Sequence, residues 1–131
     1  MVEQATGGCQ CGQVRLKACG RPNRVGLCHC MDCRKHSGSP FHASAIFPQT
    51  AVHIEGETSE YRGRHFCPHC GSSVFARTDD EVEIGLGALD APDQFQPTYE
   101  NWTIRREGWL PALPTKRKYV RDRGTTGPFE D

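Results

Sequence analysis

Apolar and polar residues alternate in short stretches along most of the chain, and a period of two predicts β-strands. Between Gln13 and Cys19, for example, every second residue is apolar, while Arg15 and Lys17 fall on the opposite face. Alternation and short apolar runs predict further strands at 41–47, 52–55, 73–77 and 82–89. Turn residues separate these stretches at 7–8, 20–23, 48–49, 55–56 and 78–80. The pattern therefore predicts a mostly β chain.

The alternation weakens after Asp90, where prolines recur. The prolines predict an irregular segment, which we expect to lie over the sheet and to be held there by Trp102 and Trp109. A folded core is expected at about residues 5–114, followed by a basic, partly frayed tail at 115–131. The length of 131 residues favours a single domain, 1–131.

Composition narrows the class of protein. Sixteen basic and sixteen acidic residues give a formal net charge of zero, and Asp122 interrupts the basic tail, so no strong field attracts nucleic acid. No apolar run approaches the ~20 residues of a membrane span. The first ten residues lack the basic and apolar segments of a secretory signal. We therefore expect a cytoplasmic protein without nucleic-acid or membrane partners. The pattern predicts no particular oligomeric state.

Eight cysteines in such a chain predict metal ligands, because disulfides do not persist in a reducing compartment. Seven of them form three groups: Cys9 and Cys11; Cys28, Cys30 and Cys33; Cys67 and Cys70. Two tight turns with two cysteines each can present four thiolates to one zinc ion at about 2.3 Å. The first and last groups are therefore assigned to a closed structural zinc site. Cys19 stands alone at a strand end, where it is expected to pack as a small apolar residue.

The middle group stands at the start of a short helix, predicted from about Cys30 to His36 and ended by Gly38 and Pro40. Three protein ligands with an open position are typical of a catalytic zinc site. Three thiolates leave the complex at a charge of about −1, so it activates water poorly but accepts a soft ligand well. The predicted chemistry is capture of a small-molecule thiol as its thiolate. The alternative is a second structural zinc, closed by His29, His36 or an outside group.

Six stretches carry a resemblance to a known family: GCQCGQVR at 8–15, CHCMDCRK at 28–35, GSPF at 38–41, FCPHCGS at 66–72, LD at 89–90 and WLP at 109–111. Together they resemble the glutathione-dependent formaldehyde-activating enzymes, a family that also includes centromere-protein-V-like proteins. The resemblance implies a single β-tent domain of stacked antiparallel sheets, with one short helix near the three-cysteine site. It also implies two zinc ions per chain, one structural and one catalytic, the latter at Cys28, Cys30 and Cys33.

The implied activity is that of a carbon–sulfur lyase. Such an enzyme forms or cleaves the adduct of glutathione, or another small thiol, with formaldehyde or a related aldehyde. Arg34 and Lys35 are expected to pair with the carboxylates of glutathione. Relatives often carry a histidine after the Leu-Asp motif, whereas this chain has none after His69, and Tyr99 and Glu100 are the nearest replacements. The alternative function is a non-catalytic carrier of the thiol adduct, or a zinc-stabilised binding module.

Overall fold

Eleven strands and one α-helix make up the main regular structure in residues 3–124, the part of the chain that the computed structural model describes. The strands are β1 (Gln4–Gly8), β2 (Arg15–Cys19), β3 (Arg24–Cys28), β4 (His42–Pro48), β5 (Val52–Glu55), β6 (Ser59–Tyr61), β7 (Arg64–Phe66), β8 (Ser73–Arg77), β9 (Glu81–Gly85), β10 (Tyr99–Asn101) and β11 (Arg117–Lys118). The helix is α1 (Met31–Ser37), and short 3-10 turns occupy Gln49–Ala51, Leu86–Ala88 and Thr103–Arg105. The prediction of a mostly β chain with one short helix at the three-cysteine group is confirmed.

The described residues divide into two compact units. Residues 3–24 and 45–95 form the first unit, and residues 25–44 and 96–124 form the second. Strand β4 runs from the second unit into the first. Among residues 3–124, no helix is both long and apolar enough to cross a membrane. The assignment of the whole chain to one domain stays a prediction.

The first unit contains a three-stranded antiparallel sheet in the order β1-β2-β5, and an antiparallel series β6-β7-β8-β9. On β2 the alternation seen in the sequence marks the buried face correctly. Val14, Leu16 and Ala18 are all buried, while Arg15 and Lys17 on the other face are not. Apolar side chains from the other strands complete this core: Ala45, Ile46, Phe47, Val74, Phe75, Val82 and Ile84.

The turn predicted at Gly7 and Gly8 is wrong, because both residues lie in β1. At Gly7, glycine is required because another part of the backbone lies against it, and not because the chain turns there. A Cβ atom on Gly7 would lie only 2.4 Å from the carbonyl oxygen of Ala88, and Gly7 pairs with Leu89 in an isolated bridge. The segment that follows β9 therefore packs directly against the backbone of β1 at Gly7, where any side chain would clash.

The Leu-Asp motif has a structural role beside this contact. Arg15 donates to both carboxylate oxygens of Asp90, at 3.0 and 2.5 Å, and the Thr6 hydroxyl donates to the same group at 2.7 Å. These contacts, that of Arg15 first, lower the pKa of Asp90 to about 2. Asp90 is therefore a charged tie between the β1–β2 hairpin and the segment after β9.

The second unit contains parallel strands, which alternation along the chain did not predict. Strand β10 lies between β3 and β11 and runs parallel to both, with Asn101 opposite Cys28. The segment after Asp90 is thus more ordered than expected. Backbone hydrogen bonds from Tyr119 to Glu100, and from Trp102 to Arg121, continue beyond the predicted end of the core near residue 114. The last part of the predicted tail, 125–131, lies outside the described residues.

The two tryptophans that were expected to hold this segment over the sheet make other contacts. The Trp102 indole donates to Asp122 at 2.7 Å, so this residue does tie two parts of the segment together. Trp109, by contrast, is 66% exposed and holds nothing against a sheet. Its indole nitrogen instead donates to Glu107 at 2.7 Å.

Two neighbouring glutamates on β9 are expected to respond in opposite ways to loss of their charge. Burial raises the pKa of Glu83, and the nearby Arg24 and Arg64 compensate only in part. When folding raises the pKa of a carboxyl group, the folded protein loses stability as the pH rises through that pKa. Glu83→Gln should therefore stabilise the protein by about 0.5–1 kcal/mol at pH 7.5, and by less at pH 5.5. Thermal unfolding at the two pH values measures this difference.

Glu81 is the matched control for this prediction. Its carboxylate receives two hydrogen bonds from Arg24, each at 2.8 Å, and one from Asn23 at 2.9 Å. Glu81→Gln should accordingly destabilise the protein by about 1–2 kcal/mol at both pH values. A loss of stability in Glu83→Gln at pH 7.5 would contradict the assigned effect of burial.

Candidate metal centres

Four cysteines of the first unit converge at one point, as the sequence analysis expects. The sulfur atoms of Cys9, Cys11, Cys67 and Cys70 all lie within 4.8 Å of one another. The sulfur of Cys11 lies 3.6 Å from that of Cys9 and 3.7 Å from that of Cys67. These separations are far longer than the ~2.05 Å of a disulfide bond. They match the edge of about 3.8 Å expected between thiolates bound tetrahedrally to zinc at about 2.3 Å. The donor set therefore fits a closed structural zinc site.

Two tight turns aim these sulfurs. In the first turn the Val14 amide donates to the sulfur of Cys9 at 3.2 Å. In the second, the Gly71 amide donates to the Cys67 carbonyl at 2.8 Å, and Gly71 has a φ of 79°, which favours glycine. The hydroxyl and amide of Ser72 lower the pKa of Cys70 to about 5. These donors thus favour the thiolate of Cys70, the state that binds metal, whereas, despite a backbone hydrogen bond at Gln13, burial and the neighbouring thiols raise the pKa of Cys11 to about 12.

The three cysteines of the second unit also converge, at the junction of β3 and α1. Their sulfur atoms lie within 4.8 Å of one another. Cys28 ends β3 and Cys30 caps α1, where its sulfur accepts from the Cys33 amide at 3.3 Å. The Cys30 amide in turn donates to the sulfur of Cys28 at 3.4 Å. A strand end and a helix cap therefore preset the three ligand atoms.

This group has no fourth ligand from the described part of the chain. Across residues 3–124, the groups that could hold a metal are the two cysteine clusters, and neither includes a histidine. His36 is therefore not placed with the three sulfurs. His29 is directed elsewhere, since its Nε2 atom lies 2.9 Å from a Glu100 carboxylate oxygen. Within the described residues the group therefore presents three sulfurs, the number of protein ligands that is typical of a catalytic zinc site.

The electrostatics of the three-cysteine group favour a cation at its centre. The Cys33 thiol and burial raise the pKa of Cys28, and burial raises the pKa of Cys30. Cys28 and Cys30 therefore resist becoming thiolates on their own. A divalent cation among them would reverse this effect because it pairs with the negative charge. The ligand type also suits zinc, which binds thiolates well.

A groove lies along one face of α1. It has a volume of about 400 Å³ and is lined by Met31, Arg34, Lys35, Gly38, Ser39, Pro40 and Glu107. The four residues from the helix and its cap stand at positions i, i+3, i+4 and i+7, so they share one face. At about 100° per residue, Cys30 stands near the edge of this face, whereas Cys33 falls on the opposite side of the helix. The groove is therefore built on the element that carries two of the three sulfurs.

The structure separates the two predicted substrate-binding cations. Arg34 is already engaged, because it donates to Glu107 at 2.8 Å and to the carbonyl oxygen of Pro40 at 3.2 Å. The Arg34 guanidinium and the Trp109 indole lower the pKa of Glu107. Lys35 is exposed at the groove. Of the two side chains, Lys35 is the more exposed.

Sequence reasoning missed a buried polar cluster behind the three-cysteine group. His29 and Glu100 are both 0% exposed, and Glu100 also contacts Thr115 and Lys118. Glu100 therefore does not replace the family's histidine at a substrate, since it has no accessible surface. Tyr99 is buried as well, and its ring covers Gly26, where a Cβ atom would lie 2.2 Å from the ring. No local signal in the sequence identifies these contacts.

Comparison with known proteins agrees with the arrangement of cysteines. A family model described as glutathione-dependent formaldehyde-activating enzyme matches residues 4–105, which include both cysteine clusters. The chain belongs to this family. The matched region of the glutathione-dependent formaldehyde-activating enzyme family also contains α1, Arg34, Lys35 and Glu100, and it ends before Glu107.

A more distant relative is a protein of Schizosaccharomyces pombe that is named an uncharacterized lyase. It is 30% identical to this chain over 74 residues, which cover 53% of this chain and 54% of the relative. The alignment thus spans about half the length of each protein.

Proposed function

We propose that this protein is a zinc-dependent carbon–sulfur lyase. It would form and cleave the adduct of a small thiol, such as glutathione, with formaldehyde or a related aldehyde. The observation that supports this proposal is the contrast between the two clusters. One presents four sulfurs and is closed, whereas Cys28, Cys30 and Cys33 present three and leave a position open within the described residues. The family to which the chain belongs and the lyase name of its relative support the same reaction class.

The reaction is an addition of sulfur to a carbonyl group. A sulfur electron pair forms the new bond to the carbonyl carbon, the carbon–oxygen π pair moves to oxygen, and the oxygen takes up a proton. The reverse steps release thiol and aldehyde. Zinc held by Cys28, Cys30 and Cys33 would supply the positive charge that keeps the substrate thiol deprotonated. The chain's own contribution is to fix the position of the thiol, because orientation of two reactants lowers the barrier.

The groove on α1 supports a role for Lys35 in holding the substrate. A carboxylate of glutathione lying in this groove would pair with the exposed ammonium of Lys35. Arg34 would act indirectly, because its two hydrogen bonds fix Glu107 and the carbonyl group of Pro40, and both of these residues line the groove. A reducing compartment such as the cytoplasm suits this proposal, since both thiolate clusters and the substrate need reduced sulfur.

The test is the rate of exchange between free glutathione and its hydroxymethyl adduct. Zinc-loaded protein is added to formaldehyde and glutathione at equilibrium, and the exchange is measured by NMR exchange spectroscopy. The expected result is an exchange rate that increases in proportion to protein concentration and is lost when zinc is removed by a chelator. Binding of glutathione without faster exchange would overturn the lyase proposal and identify a carrier. A protein that binds no thiol would be a zinc-stabilised binding module.

The role of Lys35 has its own measurement in the same assay. Lys35→Ala should raise KM for glutathione several-fold and change kcat little, because a contact made equally in ground and transition states affects binding alone. Exchange of the uncharged thiol 2-mercaptoethanol should be unchanged. Lys17→Ala, at an exposed lysine of β2 in the first unit, is the matched control. Equal effects of the two lysine variants would remove Lys35 from the site.

A further inference from the structure

The core of the second unit contains a buried hydrogen bond between a histidine and a glutamate. His29 stands between Cys28 and Cys30 in the sequence, yet its side chain is 0% exposed. Its Nε2 atom lies 2.9 Å from one carboxylate oxygen of Glu100, which is also 0% exposed. The apolar residues of this core are few, namely Val25, Leu27 and Tyr99. Two ionisable side chains therefore occupy space that apolar residues normally fill.

The second carboxylate oxygen of Glu100 is equally well satisfied. Lys118 donates to it at 2.7 Å, and the Thr115 hydroxyl donates to it as well. Lys118 is itself held by the carbonyl oxygen of Leu113 at 2.9 Å. The carboxylate therefore collects three donors, of which only the one from His29 reaches toward the cysteines. Loss of a partner from such a buried cluster is costly, because the remaining charge has no water to replace it.

The backbone of His29 is tied to the same strand as its side chain. The His29 amide donates to the carbonyl oxygen of Asn101 at 3.0 Å, next to the pairing of Asn101 with Cys28 in the β3–β10 ladder. The ring of Phe41 lies 5.8 Å from the His29 ring, centroid to centroid. Residue 29 is thus fixed at its backbone, its ring nitrogen and its ring face. Residue 29 links Cys28 to Cys30, so this anchor restricts the backbone between the two cysteines.

We propose that the His29–Glu100 pair positions Cys28 and Cys30 for metal binding, and that it touches neither metal nor substrate. The pair holds the link between the strand end and the helix cap, so the sulfurs are prearranged before the ion arrives. Glu100 in turn is aimed by Thr115 and Lys118. Residues that orient ligands in this way typically contribute 10–100-fold in metal affinity. This inference rests on metal binding by the three cysteines, and not on the lyase reaction.

Two substitutions at one position separate positioning from bulk packing. His29→Leu fills similar space but cannot donate to Glu100. His29→Gln places an amide N–H the same number of bonds from the backbone as Nε2, so it can keep this donor. Zinc release to a chromophoric chelator is followed in each full-length protein, with Cys33→Ser used to assign the phase from the three-cysteine group. The four-cysteine phase is the internal control.

In His29→Leu, release from the three-cysteine group should become about 10–100-fold faster, with the four-cysteine phase unchanged. His29→Gln should restore the release rate to within about 3-fold of the original protein. With cobalt in place of zinc, the visible ligand-field bands of the three-cysteine group should shift in the leucine variant and return in the glutamine variant. Equal release rates and equal cobalt spectra in both variants, whether normal or altered, would overturn the proposal.

Thr115→Val is the second route to the same answer if His29→Leu does not fold. It removes one donor from Glu100 at constant volume and lies far along the chain from the cysteines. The expected result is a smaller acceleration, about 3-fold, confined to the three-cysteine phase. An unchanged rate would overturn the proposal for the whole cluster. These readouts do not depend on turnover, so failure of the lyase proposal would be visible separately in the exchange assay.

Discussion

A chain carrying Cys67→Ser is expected to lose the metal of the four-cysteine group and with it most of its folding stability. Cys67 is 0% exposed, and its sulfur lies 3.7 Å from that of Cys11, a residue 56 positions earlier. Structural zinc sites contribute about 10–16 kcal/mol in isolated zinc-binding peptides, as much as the whole stability of about 5–15 kcal/mol of a typical domain. Thermal unfolding by circular dichroism should show Tm lower by more than about 10 °C, or no cooperative transition.

Cys19→Ser is the matched control, because Cys19 belongs to neither cluster and lies half-buried at the end of β2. It should retain full metal content and change the free energy of unfolding by less than about 1 kcal/mol. Metal content is measured by elemental analysis of each purified variant. A Cys67→Ser protein that unfolds at the same temperature as Cys19→Ser would show that the four-cysteine cluster does not hold the first unit together.

Cys33→Ser is expected to produce the reverse result, an intact fold without activity. Cys33 lies within α1, and its neighbours in the three-cysteine group belong to the same short stretch of chain. Loss of this ligand breaks no connection between distant parts of the chain, so Tm should fall by no more than about 5 °C. Metal content should fall by one ion per chain, and glutathione–formaldehyde exchange should slow at least about 100-fold.

The comparison of Cys33→Ser with Cys67→Ser tests the division of labour between the clusters. Far-UV circular dichroism reports the fold, elemental analysis reports the metal, and NMR exchange reports the reaction, all on the same samples. The expected pattern is reciprocal: one variant loses the fold, and the other loses the reaction alone. If both variants lost the fold equally, the three-cysteine group would be structural, and the open position would have another explanation.

The sequence predicted strands best where apolar residues recur along the segment. Strands β5 and β8 were predicted with their observed bounds, β4 to within one residue at each end, and β2 to within two residues at its start. The strand predicted at 82–89 was too long, because β9 ends at Gly85 and a 3-10 turn follows. The parallel strands β3 and β10 were missed because neither alternates. Gly26 interrupts the apolar run of β3, and only the structure shows why, since the Tyr99 ring occupies the space of a side chain there. Pairing between distant segments, which local periodicity does not encode, decides these strands.

The candidate site likewise has a part that the sequence predicted and a part that only the structure shows. Ligand spacing is a local property, so the grouping of the seven cysteines could be predicted from sequence, and the sulfurs do converge as expected. The His29–Glu100 contact joins residues 71 positions apart and depends on the β3–β10 pairing. The pairing of Arg34 with Glu107, 73 positions away, could not be predicted from the sequence either. The sequence therefore could not show that Arg34 is engaged in an ion pair while Lys35 is exposed. Sequence therefore predicts the ligands, and the fold decides which neighbours support them.

The two clusters differ in how much of the chain separates their ligands, and this sets the order in which the ligands become available during synthesis. The first unit is made of two segments, with residues 25–44 inserted between them. Cys28, Cys30 and Cys33 leave the ribosome almost together, and no later residue is needed to complete their number. The four-cysteine cluster stays half-built until Cys70 has been synthesised. The three-cysteine group therefore has all its ligands early, but it gains the contact of Glu100 with His29 only after the four-cysteine cluster is complete.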